Sequence, residues 1–72
     1  MNGYAIVIER AADGGYGAWC PDLLGCVALG DTYDDCVRQM REAIGFHLAG
    51  LRKAGQPVPA PTAVGAETVL AA

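Results

Sequence analysis

Serine is absent from the 72 residues, which removes every mechanism built on a serine nucleophile. Basic residues are scarce: five Lys and Arg stand against eight Asp and Glu, a net charge of −3. A small domain of that sign lacks the basic surface that phosphate backbones require. It is suited instead to docking onto a basic partner. No apolar run reaches the roughly 20 residues that span a bilayer, and no basic-then-apolar leader opens the chain, so a cytoplasmic location is expected. The three cysteines, Cys20, Cys26 and Cys36, are an odd number that cannot pair completely within one chain. They form no CxxC, and zinc wants four ligands at close spacings. Reduced thiols acting as small apolar core residues are the expectation, with no metal and no cofactor.

What is present reads as one small globular domain over residues 1–72, 53% hydrophobic and 18% charged. Tyr4 to Glu9 is a β-branched and aromatic run, a strand. Asp13-Gly14-Gly15 is a turn, and Tyr16 to Cys20 is its hairpin partner. Pro21 to Gly25 interrupts the pattern, and Cys26 to Leu29 makes a third short strand. Thr32 has the chemistry of a helix N-cap, with Asp34 and Asp35 in the first turn. Apolar residues then recur at three- and four-residue steps from Tyr33 to Leu51, and Asp34 is spaced to pair with Arg38. Arg52, Lys53 and Gly55 mark the helix end. Gly45 and Gly50 inside it suggest close packing against another backbone. Residues 56–66 are a Pro-rich connector to a fourth strand at Glu67 to Leu70. The fold class is α+β: a small antiparallel sheet in the order β-β-β-α-β, with one long helix on one face.

One helix covers one face only. Tyr4, Ile6 and Ile8 point one way and Ala5 and Val7 the other. Tyr16, Ala18 and Cys20 likewise oppose Gly17 and Trp19. Both faces are partly apolar, and a domain this small buries little surface alone. A homo-oligomer, a two-fold dimer or higher, is expected.

The succession of Tyr4, Ile6 and Ile8, Asp13-Gly14 with Tyr16, Pro21-Asp22-Leu23-Leu24-Gly25-Cys26, Gly30-Asp31-Thr32 and a helix running to Leu48, Leu51, Gly55, Pro57 and Pro59 resembles the HicB-like antitoxins over Tyr4 to Pro61. The resemblance implies a partial, catalytically degenerate ribonuclease H-like layer. It also implies a partner: a small basic toxin, a HicA-type ribonuclease that cleaves mRNA, whose RNA-binding surface the antitoxin covers. Many family members add a DNA-binding module. Only eleven residues follow Pro61, so the short stand-alone version is the match, and direct DNA binding is not expected.

Catalysis finds little support in the residues themselves. Ribonuclease H chemistry needs carboxylates converging on two metal ions, whereas turn and cap roles account for most of the acids here. Cys36 and His47 are about 16 Å apart along one helix, beyond hydrogen-bond reach. The expected function is non-enzymatic, with Glu9, Trp19, Asp22 and Leu23 at the partner interface. Trp19 is of the type most enriched at binding hot spots, and Asp22 and Leu23 are expected in an exposed loop. The rival reading is an orphan oligomerising domain with a self-assembly or small-ligand role and no toxin.

Overall fold

The computed structural model describes residues 3–71. Three strands, β1 (Val7–Arg10), β2 (Tyr16–Cys20) and β3 (Leu23–Gly30), precede one helix, α1 (Tyr33–Lys53). The strands form an antiparallel sheet in the order β1-β2-β3. The first turn is set by Gly14, whose φ of 91° lies where only glycine is at ease. Ala11 N–H donates to Gly15 O at 2.8 Å, and Asp13 Oδ1 accepts from Gly15 N–H at 2.9 Å.

The second turn differs from the sequence expectation. Pro21 and Asp22 alone make it, and Leu23 rejoins the ladder opposite Cys20. The next pair is Trp19 with Val27, so Leu24, Gly25 and Cys26 bulge out of register. Gly25 takes a positive φ of 81° at the bulge. The third strand therefore begins three residues before the Cys26 to Leu29 segment anticipated. β1 is correspondingly shorter than Tyr4 to Glu9, because Val7 pairs with Trp19 and β2 gives out one residue later, before Pro21.

α1 runs as the periodicity predicts. Thr32 is the N-cap, its hydroxyl accepting from Asp35 N–H at 3.1 Å. At the other end Gly55, at φ 70°, donates to Arg52 O, and Gln56 donates to Leu51 O. That pair of bonds is a Schellman closure. The ion pair of the first turn joins Arg38 to Asp35, not to Asp34. The glycine that packs tightly is also a different one. A Cβ on Gly45 or Gly50 would meet nothing within 4 Å, whereas on Gly30 it would lie 2.5 Å from Cys36 N and 2.7 Å from Cys36 Cα. The end of β3 thus touches the first turn of α1 backbone to backbone.

Between sheet and helix lie Ala18, Cys20, Leu23, Cys26, Cys36 and Met40, all buried, with Tyr4, Ile6, Ile8, Ile44 and Leu48 packed around them. The three cysteines are free thiols within this core. Burying a side chain the size of Leu23 or Met40 is worth about 1.5–3 kcal/mol.

The tail corrects the last expected element. No strand forms at Glu67 to Leu70; residues 56–71 carry no helix and join no sheet. Pro57, Pro59 and Pro61 have no N–H to offer a ladder. The tail is fixed elsewhere: Tyr4 Oη–H donates to Pro59 O, and Asp22 at the β2–β3 turn holds Thr62 and Ala63. Ala66 to Thr68 then stand off from Ile6 to Ile8, leaving a depression of about 410 Å³ between them. Val69 and Leu70 are left exposed.

Candidate partner interface

Register decides which side chains share a face. Ile8, Ala18 and Ala28 pair across the strands under α1, and one residue along each strand Val7, Trp19 and Val27 form a row on the outside. Glu9, Gly17 and Leu29 form the next outward row. Trp19 is 42% exposed, Val27 65% and Leu29 78%. The indole N–H of Trp19 donates to Glu9 Oε1 at 3.1 Å, which fixes the ring's orientation and uses its one donor. Two of the four residues expected at an interface are thus brought together on the open face by pairing between strands.

The other two belong elsewhere. Leu23 is 1% exposed, a core residue rather than a loop residue, because it re-enters the ladder directly after Asp22. Asp22 spends both carboxylate oxygens on the tail: Oδ2 accepts from Thr62 N–H and Ala63 N–H, each at 3.0 Å, and Oδ1 accepts from Thr62 Oγ1 at 2.6 Å. The Thr62 hydroxyl first, then the two amides, hold its carboxyl below the ordinary carboxylate range. Asp22 is a clasp. Its partner lies 40 residues away in sequence, and no local signal announces the pairing.

Sequence reasoning also missed an acidic end. Tyr16 pairs with Gly30, so the tip of the β1–β2 hairpin sits beside the start of α1. Asp13, Asp31 and Asp35 then surround one depression of about 330 Å³, with Tyr16, Leu29 and Gly30 in its wall. Each acid had a sufficient local role in its turn or cap, and only the hairpin register shows them together. Leu29 belongs both to this depression and to the open face, so the two are continuous.

Chemistry of other kinds is poorly served. Among the described residues no group of three or more His, Cys, Asp or Glu could hold a metal ion. Packing does bring Cys26 and His47 to the wall of one shallow depression. Burial, then the neighbouring Cys20, pushes the Cys26 thiol up, so it stays protonated and a weak nucleophile. No helix among the described residues is long and apolar enough to cross a membrane.

Comparison with known proteins agrees with this architecture. Residues 4–70 match a family described as HicB-like antitoxin of bacterial toxin–antitoxin system. A UPF0150 protein of Synechocystis sp. is 41% identical over 56 residues, which is 78% of this chain and 71% of that protein. The crystal structure of the N-terminal domain of the Burkholderia pseudomallei antitoxin HicB superposes with a TM-score of 0.73 at 32% identity, covering 82% of this chain and 71% of that one. A crystal structure of the same organism's antitoxin HicB gives 0.72 at 33% identity, but there the match spans 44% of the solved chain.

Proposed function

We propose that this chain, which belongs to the HicB-like antitoxin family, works as a non-enzymatic cover for a small basic mRNA-cleaving toxin of HicA type in the cytoplasm. Occlusion is the mechanism: the outer face of the sheet lies over the toxin's RNA-binding surface. The observation that carries the reading is the outward row Val7, Trp19 and Val27 crossing all three strands, with Trp19 held by Glu9 and acids at its margin. An apolar centre with a polar, charged rim is the anatomy of a protein interface. The acids speed encounter with a basic partner and discriminate against acidic ones.

Covering a ribonuclease demands shape and charge rather than catalytic groups. The shielded Cys26 thiol and the acids gathered beside the open face suit that role. Tagged protein recovered from its own cells is expected to carry a stoichiometric small basic protein, identified by mass spectrometry. Trp19→Ala should then weaken that complex by about 30-fold or more, the mark of a hot spot worth about 2 kcal/mol. A chain that emerges with nothing bound, or a complex indifferent to Trp19→Ala, would overturn the reading.

A further inference from the structure

In the β2–β3 hairpin two residues compete for one position. From Tyr16 with Gly30 to Trp19 with Val27 the strands keep a single register. The next residues in that register are Cys20 and Cys26. There the register shifts, and Leu23 takes the place opposite Cys20 instead. Cys20 and Cys26 nevertheless both belong to the buried core, 3% and 4% exposed. Both are free thiols, and they lie near enough for Cys20 to act on the ionisation of Cys26. The partner face uses neither.

Geometry selects this pair over the third thiol. A disulfide wants Cα atoms about 4.4–6.8 Å apart, the spacing of residues directly opposite in an antiparallel ladder. Cys26 in the place of Leu23 would extend the existing register by one pair and meet that demand. Cys36 belongs to the other end of the strand, packed backbone to backbone on Gly30, which lies about 13 Å along β3 from Cys26. Cys26 also borders the shallow depression beside Phe46 and His47, so a small oxidant reaches it from solvent. Burial, then the neighbouring Cys20, keeps its thiol protonated, and the pair stays reduced until oxidant is abundant.

The position opposite Cys20 also governs the tail. Leu23 directly follows Asp22, the residue that holds Thr62 and Ala63. With Cys26 in the ladder, the turn lengthens to the whole of Pro21 to Gly25. Leu23 then leaves its buried site, and Asp22 moves with it. The tail beyond Pro59 loses its acceptor. Once released, it no longer shadows Ile6 to Ile8, and the edge strand β1 is uncovered.

We infer that Cys20 and Cys26 form a peroxide-driven disulfide that shifts the β2–β3 register and unlatches the tail from Asp22. The Cys26 sulfur attacks the peroxide, the O–O bond breaks, and a sulfenic acid forms; the thiol proton leaves with the departing hydroxide as water. The Cys20 sulfur then displaces the sulfenic hydroxyl, and its own proton leaves in a second water. Two thiols lose two electrons and the peroxide gains them. A thiol reductant reverses the bond.

The test uses the full chain alone with hydrogen peroxide. Each chain should lose the mass of two hydrogen atoms. Cleavage before aspartate separates the three cysteines, because Asp22, Asp31, Asp34 and Asp35 stand between them, and the linked peptides should be those of Cys20 and Cys26. Read by nuclear magnetic resonance, the Thr62 and Ala63 amides should exchange with solvent about tenfold faster after oxidation, and dithiothreitol should restore the original rates. Cys36→Ala should respond as the parent chain does, whereas Cys26→Ala should keep its tail amides slow in peroxide. A bond to Cys36, a bond between two chains, or thiols oxidised singly would overturn the inference. A Cys20–Cys26 bond that leaves the tail amides as slow as before overturns it too.

Discussion

On the inner face of the sheet, Ile8, Ala18 and Ala28 lie beneath α1. One residue along each strand, Val7, Trp19 and Val27 cross the same three strands with no helix above them. The outer row is the bulkier of the two. Hydrophobicity alone would bury it first, so the division reflects something else. The helix comes close enough to β3 that a Cβ on Gly30 would sit 2.5 Å from Cys36 N, so at the helix start β3 has no room for a side chain, and the inner row beside it carries alanine at Ala28. Bulk is found away from that contact: in Leu23 and Met40, both buried in the core, and in Trp19, Val27 and Leu29 on the open side. An apolar face of that size on a small acidic domain is where a partner belongs.

Truncation on each side gives the largest contrast. Met40 is fully buried, and Met40→Ala should cost about 2–5 kcal/mol through lost burial and the cavity left behind. Leu29, 78% exposed, should lose no more than about 0.5 kcal/mol on Leu29→Ala. Urea unfolding of both variants, at a concentration where the chain is monomeric, measures the difference. Equal losses would break the comparison, since the outer row would then be packed within the single chain.

Backbone proximity at Gly30 supplies the next step down. Gly30→Ala must push against Cys36 N, Cys36 Cα and Asp35 C, all backbone atoms, so no flexible side chain can yield. A cost of about 1–3 kcal/mol is expected from overpacking of this kind, read as a lower denaturation midpoint at unchanged slope. A neutral substitution would mean that the helix rides higher on the sheet, and the explanation for the small inner row would fail with it.

Local chemistry was legible and long-range chemistry was not. Thr32 and Gly55 bracket α1 because caps are decided within a few residues, and both act where the sequence placed them. The alternation in β1 and β2 likewise separated Ile8 and Ala18 from Val7 and Trp19. Leu23 was misplaced because Pro21 reads as a break, whereas the chain turns in two residues and pays for the re-entry with a bulge three residues long. The Trp19–Glu9 bond depends on the strand register, which no pattern within either strand displays. The bonds from Asp22 to Thr62 and Ala63, and the gathering of Asp13, Asp31 and Asp35, need the folded chain. No spacing rule reaches across those separations.

The smallest effect is opposite in sign and isolates helix propensity from packing. Gly45 stands on α1 with nothing within 4 Å of the position a Cβ would take. Glycine in a helix interior costs about 1 kcal/mol relative to alanine, so Gly45→Ala should stabilise the chain by up to about that amount, much of it through a less flexible unfolded state. The same methyl group thus destabilises at Gly30 and stabilises at Gly45, and the difference between them reads the clearance between helix and sheet. Thermal unfolding at matched concentration compares the two. A Gly45→Ala variant that instead lost stability, or lost self-association, would show that a neighbour packs on the outward side of α1, and the open surface of this molecule would then include its helix as well as its sheet.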